Sequence, residues 1–203
     1  MEGTLTSTGR LSIRKIPARK APLSWRLKNT LRWAYIWGWL ANGAARAFTR
    51  ITGIPCMIGE LRARLFRANG EVIDYGVLGR RVVTTAWVNF IVAQLQTETS
   101  EFGDLKYHDS GVGVTAADVA DTDIETTDGE SRATGTQVEG ASANIYRSVG
   151  TISYTTSKAI TEHGLFTQST GTTLLDRHVF SAVNVVNGDS IQFTLNYTCT
   201  AGG

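Results

Sequence analysis

Ser190-Ile191-Gln192-Phe193-Thr194-Leu195-Asn196-Tyr197-Thr198-Cys199 alternates polar and apolar side chains without a break. Ile191, Phe193, Leu195, Tyr197 and Cys199 fall on one side, and Ser190, Gln192, Thr194, Asn196 and Thr198 on the other. A period of two puts one set on a core and the other in water or against a polar partner, as in a half-buried antiparallel strand. Asn187-Gly188-Asp189 just upstream supplies turn residues suited to positive φ, so the run ending at Val186 is expected to pair with this strand as a hairpin.

Working outward, the same signals recur. Ile160 to Phe166 and Leu174 to Val186 read as strands, with turns at Thr156-Ser157-Lys158 and Thr170-Gly171. Ile145 and Val149 share one parity while Ile152 and Tyr154 share the other, which predicts a bulge at Gly150. Leu61, Ala63 and Leu65 alternate with Arg62, Arg64 and Arg67, and Asn69-Gly70 marks a hairpin into Val72 to Leu78. Arg62 and Arg64 read first as a solvated face and second as a nucleic-acid stripe. Thr84 or Thr85 can cap a helix over 84–97 whose Trp87, Val88, Ile91, Val92 and Leu95 make a stripe for covering a sheet. A short strand is expected within 104–115. The expected class is mainly β: an antiparallel, jelly-roll-like β-sandwich over 56–203 with one covering helix.

With 42% hydrophobic residues the chain can fill a core, and 21 Gly against 3 Pro, with many Thr and Ser, suits tight turns between strands. Cys56 and Cys199 form neither a metal spacing nor a disulfide framework, so buried thiols are expected. The start of the chain lacks an apolar stretch, so no secretory signal is expected and Asn196-Tyr197-Thr198 has no meaning as a glycosylation sequon. Charge is divided: residues 1–67 carry 13 Lys+Arg against 2 Asp+Glu, whereas 68–203 carry 7 against 16. A basic segment suits an acidic partner surface, a neighbouring copy's acidic body included.

Residues 1–23 read as an extended basic arm with Arg10, Arg14, Lys15, Arg19 and Lys20 as partner-binding groups. Residues 24–55 read as a Trp-rich helical anchor: a helix capped by Ser24 runs from Trp25 to about Leu40, Asn42-Gly43 stops or kinks it, and a second helix reaches Thr52. Trp33, Ile36, Trp37, Leu40, Ala44, Ala47 and Ile51 form an apolar stripe; Lys28, Arg32, Tyr35, Trp39, Arg46 and Arg50 form a basic-aromatic one. Only 13 residues separate Arg32 from Arg46, well short of the roughly 20 that span a bilayer. The stripe is expected to pack on its own domain or on neighbouring subunits, an interfacial membrane helix being the alternative. Trp25, Trp33, Trp37, Trp39, Arg46 and Arg50 are the candidate partner-binding residues of this segment.

Reaction chemistry is sparse. His108, His163 and His178 have no ligand spacing, and His163 reads as a hydrogen-bonded structural residue. There is no Gly-x-Ser-x-Gly and no phosphate loop, and Gly111-Val112-Gly113 lacks the rest of a dinucleotide fingerprint. Asp118, Asp121, Asp123, Glu125 and Asp128 invite a calcium reading. An EF-hand counted from Asp121 would need Gly and Glu where Thr126 and Arg132 stand, so a solvated acidic loop is expected. Glu162 and Asp176, if opposed across a hairpin, would make the one glycosidase-like carboxylate pair. No catalytic residue, metal ligand or cofactor is assigned.

Tyr107-His108-Asp109-Ser110-Gly111-Val112-Gly113-Val114-Thr115, Ser131-Arg132-Ala133-Thr134-Gly135-Thr136-Gln137, Ala159-Ile160-Thr161-Glu162-His163-Gly164-Leu165-Phe166, Thr173-Leu174-Leu175-Asp176-Arg177-His178-Val179-Phe180 and Asn187-Gly188-Asp189-Ser190-Ile191-Gln192-Phe193-Thr194 together resemble a type of small virion structural protein of tailed bacteriophages. The likeness covers roughly Asp104 to Thr198 and leaves out the basic, Trp-rich start. It implies a non-enzymatic β-sandwich subunit located in the virion: a head decoration or cement protein, or a tail or neck part. Its partners would then be the major capsid protein, other virion subunits or further copies in a homo-oligomer. A membrane or nucleic-acid contact through residues 10–50 is the alternative, since Lys and Arg among Trp and Tyr suit an anionic lipid surface or a phosphate backbone. A sugar-binding or hydrolytic tail module would need exposed aromatics or paired acids on one face. Gln192, Thr194, Asn196 and Thr198 carry no charge on what should be an open face, and are therefore the expected subunit contact.

Overall fold

The computed structural model describes residues 18–52, 56–80, 82–96, 105–171 and 173–200. Arg10, Arg14 and Lys15 lie outside the described residues, as do the side chains of Trp33, Arg50, Cys56 and Leu95. In chain order the elements are β1 (Arg19–Lys20), α1 (Leu23–Thr30), α2 (Trp33–Thr52), β2 (Cys56–Phe66), β3 (Val72–Arg80), β4 (Val82–Val83), α3 (Thr85–Gln96), β5 (Tyr107–Gly111), β6 (Ala133–Thr134), β7 (Thr136–Glu139), β8 (Ile145–Ser153), β9 (Lys158–Phe166), β10 (Leu174–Val185) and β11 (Ser190–Thr200). The protein is mainly β. One sheet runs β1-β3-β2-β11-β8-β7 and the other β4-β10-β9-β5-β6. All pairings are antiparallel except β1 with β3, which is parallel.

Strand β11 is the spine of the first sheet, in unbroken register with β2 on one side and β8 on the other. Ile191, Phe193, Leu195 and Tyr197 are fully buried, and their polar alternates are half-buried on the outer face. Leu61, Leu65, Ile152, Ile191 and Phe193 of this sheet share one core with Ile160, Phe180 and Val183 of the other, so the two sheets face each other across it. Cys199 is exposed rather than buried, because the core ends at Tyr197.

Asn187-Gly188-Asp189 does not close a hairpin. It carries the chain from β10 in one sheet to β11 in the other, with Gly188 at φ 85°. Asp189 fixes the crossing by accepting from Val186 N and Ala68 N and pairing with Arg67 at 2.6 Å. Burial works against its ionised form, but these bonds outweigh burial and hold its carboxyl below the usual range.

The expected bulge at Gly150 is absent, since β8 pairs residue for residue with β11. Inward positions 148 and 150 are small because the His108 ring lies there: its Nε2 is 2.8 Å from Ser148 Oγ, and a Cβ at 150 would overlap it. The apolar parity switches to make room for a buried imidazole. The N-terminal helices also depart from expectation. Ser24 is not the cap; Pro22 precedes α1 without a capping side chain, and the break falls at Leu31-Arg32 while α2 continues through Asn42-Gly43. Asn29 sets the break, because its buried amide donates to Leu78 O on β3 and accepts from Ser181 N on β10. That pins α1 across the gap between the sheets. Thr84 caps α3, accepting from Trp87 N and donating to the carbonyls of Leu174 and Leu175. Among the described side chains of α3, Trp87, Phe90 and Ile91 pack against the core, whereas Val88 and Val92 are exposed.

Candidate functional site

The outer face of the first sheet is an open trench. Its floor is the polar side of β11, with Gln192, Thr194, Asn196 and Thr198 all in the lining. Among the described residues, five guanidinium groups, those of Arg46, Arg62, Arg64, Arg80 and Arg147, stand along it with two carboxylates, Glu60 and Asp74. Strand parity puts Arg62 and Arg64 there, since Leu61, Ala63 and Leu65 take the core side. Helix α2 adds Arg46, and the trench continues past Arg46 and Arg80 to Trp39 and Leu40. Glu60 pairs with Arg62 at 2.8 Å and with Arg80 at 3.6 Å, and Arg147 Nε donates to Asn196 Oδ1. The face is thus hydrogen-bonding along its middle and positive along its rims.

The opposite side of the molecule is acidic. Residues 112–130 fold over the outer face of the second sheet, which is why both faces of β9 are buried. Glu162 on β9 clamps this loop by accepting from the backbone amides of Gly113, Glu125 and Thr126. It also pairs with Arg177 at 2.8 Å. Burial works against the Arg177 charge, but hydrogen bonds to Asp121 and Glu162 outweigh that and hold its pKa above the ordinary value. Asp121 and Glu125 lie on Arg177 from outside, and Asp123 lies on Arg132. The acidic loop is therefore bolted down, not simply solvated: the arginines sit beneath and the carboxylates above.

Glu162 and Asp176 are not opposed. Glu162 stands across from Val179 and Asp176 across from Leu165, and Asp176 instead accepts from Tyr197 Oη at 2.6 Å. Two histidines with no sequence spacing do meet, His108 Nδ1 lying 2.9 Å from His163 Nε2. Next to them Ser110 Oγ donates to Asp128 and contacts Tyr154 Oη. Burial raises the carboxyl of Asp128, and likewise that of Asp109 despite its bond to Arg132. His108, His163, Glu162 and Asp176 are fully enclosed. The sign of the buried His108 ring in the sequence was the parity switch at Gly150.

The structure divides the sequence-derived contact residues. Gln192, Thr194, Asn196, Thr198 and Arg46 come together in the trench. Arg80, Arg147, Glu60 and Asp74 were not singled out by sequence; the uncharged face of β11 and the outward parity of β2 were the signals that pointed to the trench. Arg19 and Lys20 form β1 beside β3, with Arg19 at 3.4 Å from Glu71. Trp25 serves its own chain: its indole donates to Ser181 O and Ala182 O and meets Tyr75 edge-on. Trp37 and Trp39 are exposed. Of the apolar stripe expected to pack on its own domain or on neighbouring subunits, Leu40, Ala44, Ala47 and Ile51 face away from this chain's own core, while Ile36 is half-buried. What α2 turns toward the body includes Gly38, Asn42 and Thr49, with Gly38 close against the Arg80 backbone and the Asn42 Nδ2 and Thr49 Oγ1 atoms buried without a hydrogen-bond partner. Among the described residues no helix is long and apolar enough to cross a membrane. No protein family, curated protein or solved structure matches this chain.

Proposed function

We propose that this protein is a non-enzymatic structural subunit of a tailed-bacteriophage particle, a head decoration or cement subunit located in the virion. Its N-terminal segment and helices would lie against the major capsid protein or sister copies. The observation that carries this reading is the orientation of α2. An amphipathic helix normally spends its apolar face on its own core; here Leu40, Phe48 and Ile51 are exposed, Ile51 at 83%, while the inward side includes buried hydroxyl and amide groups without partners. Leu23 and Leu27 on α1, and Leu31 just after it, likewise point out at four-residue spacing. Such a surface is completed by another protein. A tail or neck position would use it equally. A jelly-roll-like sandwich is the finer fold proposed, and what supports it is that the chain changes sheet at β3 to β4, β6 to β7, β8 to β9 and β10 to β11, although the hairpins β2–β3, β7–β8 and β9–β10 each stay in one sheet.

The test is a triple substitution, Leu40→Ser, Phe48→Ser and Ile51→Ser. All three side chains are already exposed, so the thermal midpoint of the isolated protein should hold or rise. Occupancy on purified particles should fall by at least about tenfold, because apolar anchors carry most of an interface's energy. Normal occupancy would refute the proposal.

A further inference from the structure

We infer that the trench on the outer face of the first sheet receives the acidic loop 118–125 of a second copy of this chain. The inference rests on the subunit reading above and names the partner of that face. Charge is the first argument. The trench sets five arginines against two carboxylates, and Arg62 and Arg64 keep 55% of their side-chain surface in solvent. On the loop the order is inverted: the side chains of Arg177 and Arg132 are 3% and 9% exposed, while those of Asp121, Glu125 and Asp123 are 24%, 36% and 40% exposed. Seen from outside, the loop presents carboxylates and hides their counter-ions. Opposed patches of this kind steer association and fix register.

Chemistry and shape agree. The trench floor offers amides and hydroxyls, Gln192, Thr194, Asn196 and Thr198, which can donate to carboxylates and backbone carbonyls without a charge of their own. The loop is rigid enough to be read, since Glu162 ties its backbone at Gly113, Glu125 and Thr126. Little ordering entropy is then lost on docking. The two surfaces lie on opposite sheets of one subunit, so the contact is head-to-tail and each copy uses both.

The probe is the full chain in sedimentation velocity at low salt and at 1 M salt, the latter cutting the screening length to about 3 Å. Three proteins are compared: wild type, a trench variant (Arg62→Glu with Arg64→Glu) and a loop variant (Asp118→Lys with Asp123→Lys). Wild type should associate at low salt and dissociate at high salt. Each variant alone should weaken self-association by at least about tenfold, and mixing the two should restore association, through the unaltered loop of one in the unaltered trench of the other and through the charge-swapped pair. Thermal melts check that each variant is folded. A wild type that stays monomeric at low salt, or variants that associate like it, would overturn the inference. So would a monomeric wild type whose trench retains a single-stranded oligonucleotide that the trench variant does not. Particle occupancy of the same variants separates the two readings: normal incorporation with no self-association defeats the loop as partner and leaves the structural role standing.

Discussion

Gly150 lies on β8 with its inner side against the His108 ring, and Gly135 meets the same ring from between β6 and β7, where an added Cβ would stand 2.8 Å away. The ring cannot retreat, because it is wholly buried and both its nitrogens are engaged, with His163 and with Ser148. Gly150→Ala should therefore destabilise the protein by about 2 kcal/mol through overpacking. Gly43 provides the opposite sign: it is inside α2 with open space where a Cβ would go, so Gly43→Ala should stabilise by up to about 1 kcal/mol. Urea midpoints of the two variants check both directions, and equal shifts would show that the imidazole does not fill the space assigned to it.

Among the elements, α1 is held by fewer and more polar contacts than the strands. Asn29 bridges Leu78 O on one sheet and Ser181 N on the other, and Trp25 adds its indole bonds to the carbonyls of Ser181 and Ala182. Removing the amide orphans a buried carbonyl and a buried N–H, each costing about 1–3 kcal/mol. Asn29→Ala should consequently release α1 as a unit. Backbone amides of residues 26–30 should exchange much faster, while those of β9 and β10, locked by Glu162 and Arg177, keep their protection. Unchanged exchange in α1 would mean that Trp25 alone seats the helix.

Over the whole molecule, acid stability is a balance of carboxylates shifted in opposite directions. Glu130 is held down to about 2, mainly by the hydrogen bond from Lys158 at 2.8 Å, helped by Thr155. With its folded pKa depressed, its stabilisation is complete above the ordinary carboxylate range and is lost as pH falls toward about 2. Asp109 and Asp128 are raised by burial. They oppose folding at neutral pH, and that opposition eases as pH falls through their folded values, so they flatten the acid limb. Lys158→Met should move the Glu130 titration upward and lower stability at pH 7, with the difference from wild type closing as pH approaches about 2. Carboxyl titration by NMR alongside urea midpoints across pH reads both effects, and a Glu130 titration that stays put would refute the assigned cause.

Local periodicity carried the strands and their core sides, though not the bulge read at Gly150 or the breaks read in the N-terminal helix. The alternation through Ser190 to Cys199 gave β11 and its core side, Asn69-Gly70 gave the β2–β3 hairpin, and the α3 cap was narrowed to Thr84 or Thr85, of which Thr84 takes it. A period of two needs only the neighbouring residues, so it is written in the chain itself. Which strands would pair was not. Asn187-Gly188-Asp189 has the composition of a hairpin, yet β11 seats itself between β2 and β8, because turn residues set the local reversal and long-range burial sets the sheet. The same division holds at the contact surface. Sequence placed Gln192, Thr194, Asn196 and Thr198 on one polar face, but only the pairing of β11 with β2 and β8 brings Arg62, Arg64 and Arg147 beside them, and only the packing of α2 adds Arg46. Amphipathicity showed that α2 has an apolar side. The direction that side faces depends on what β3 offers it, and the close approach of Gly38 to Arg80 turns it outward.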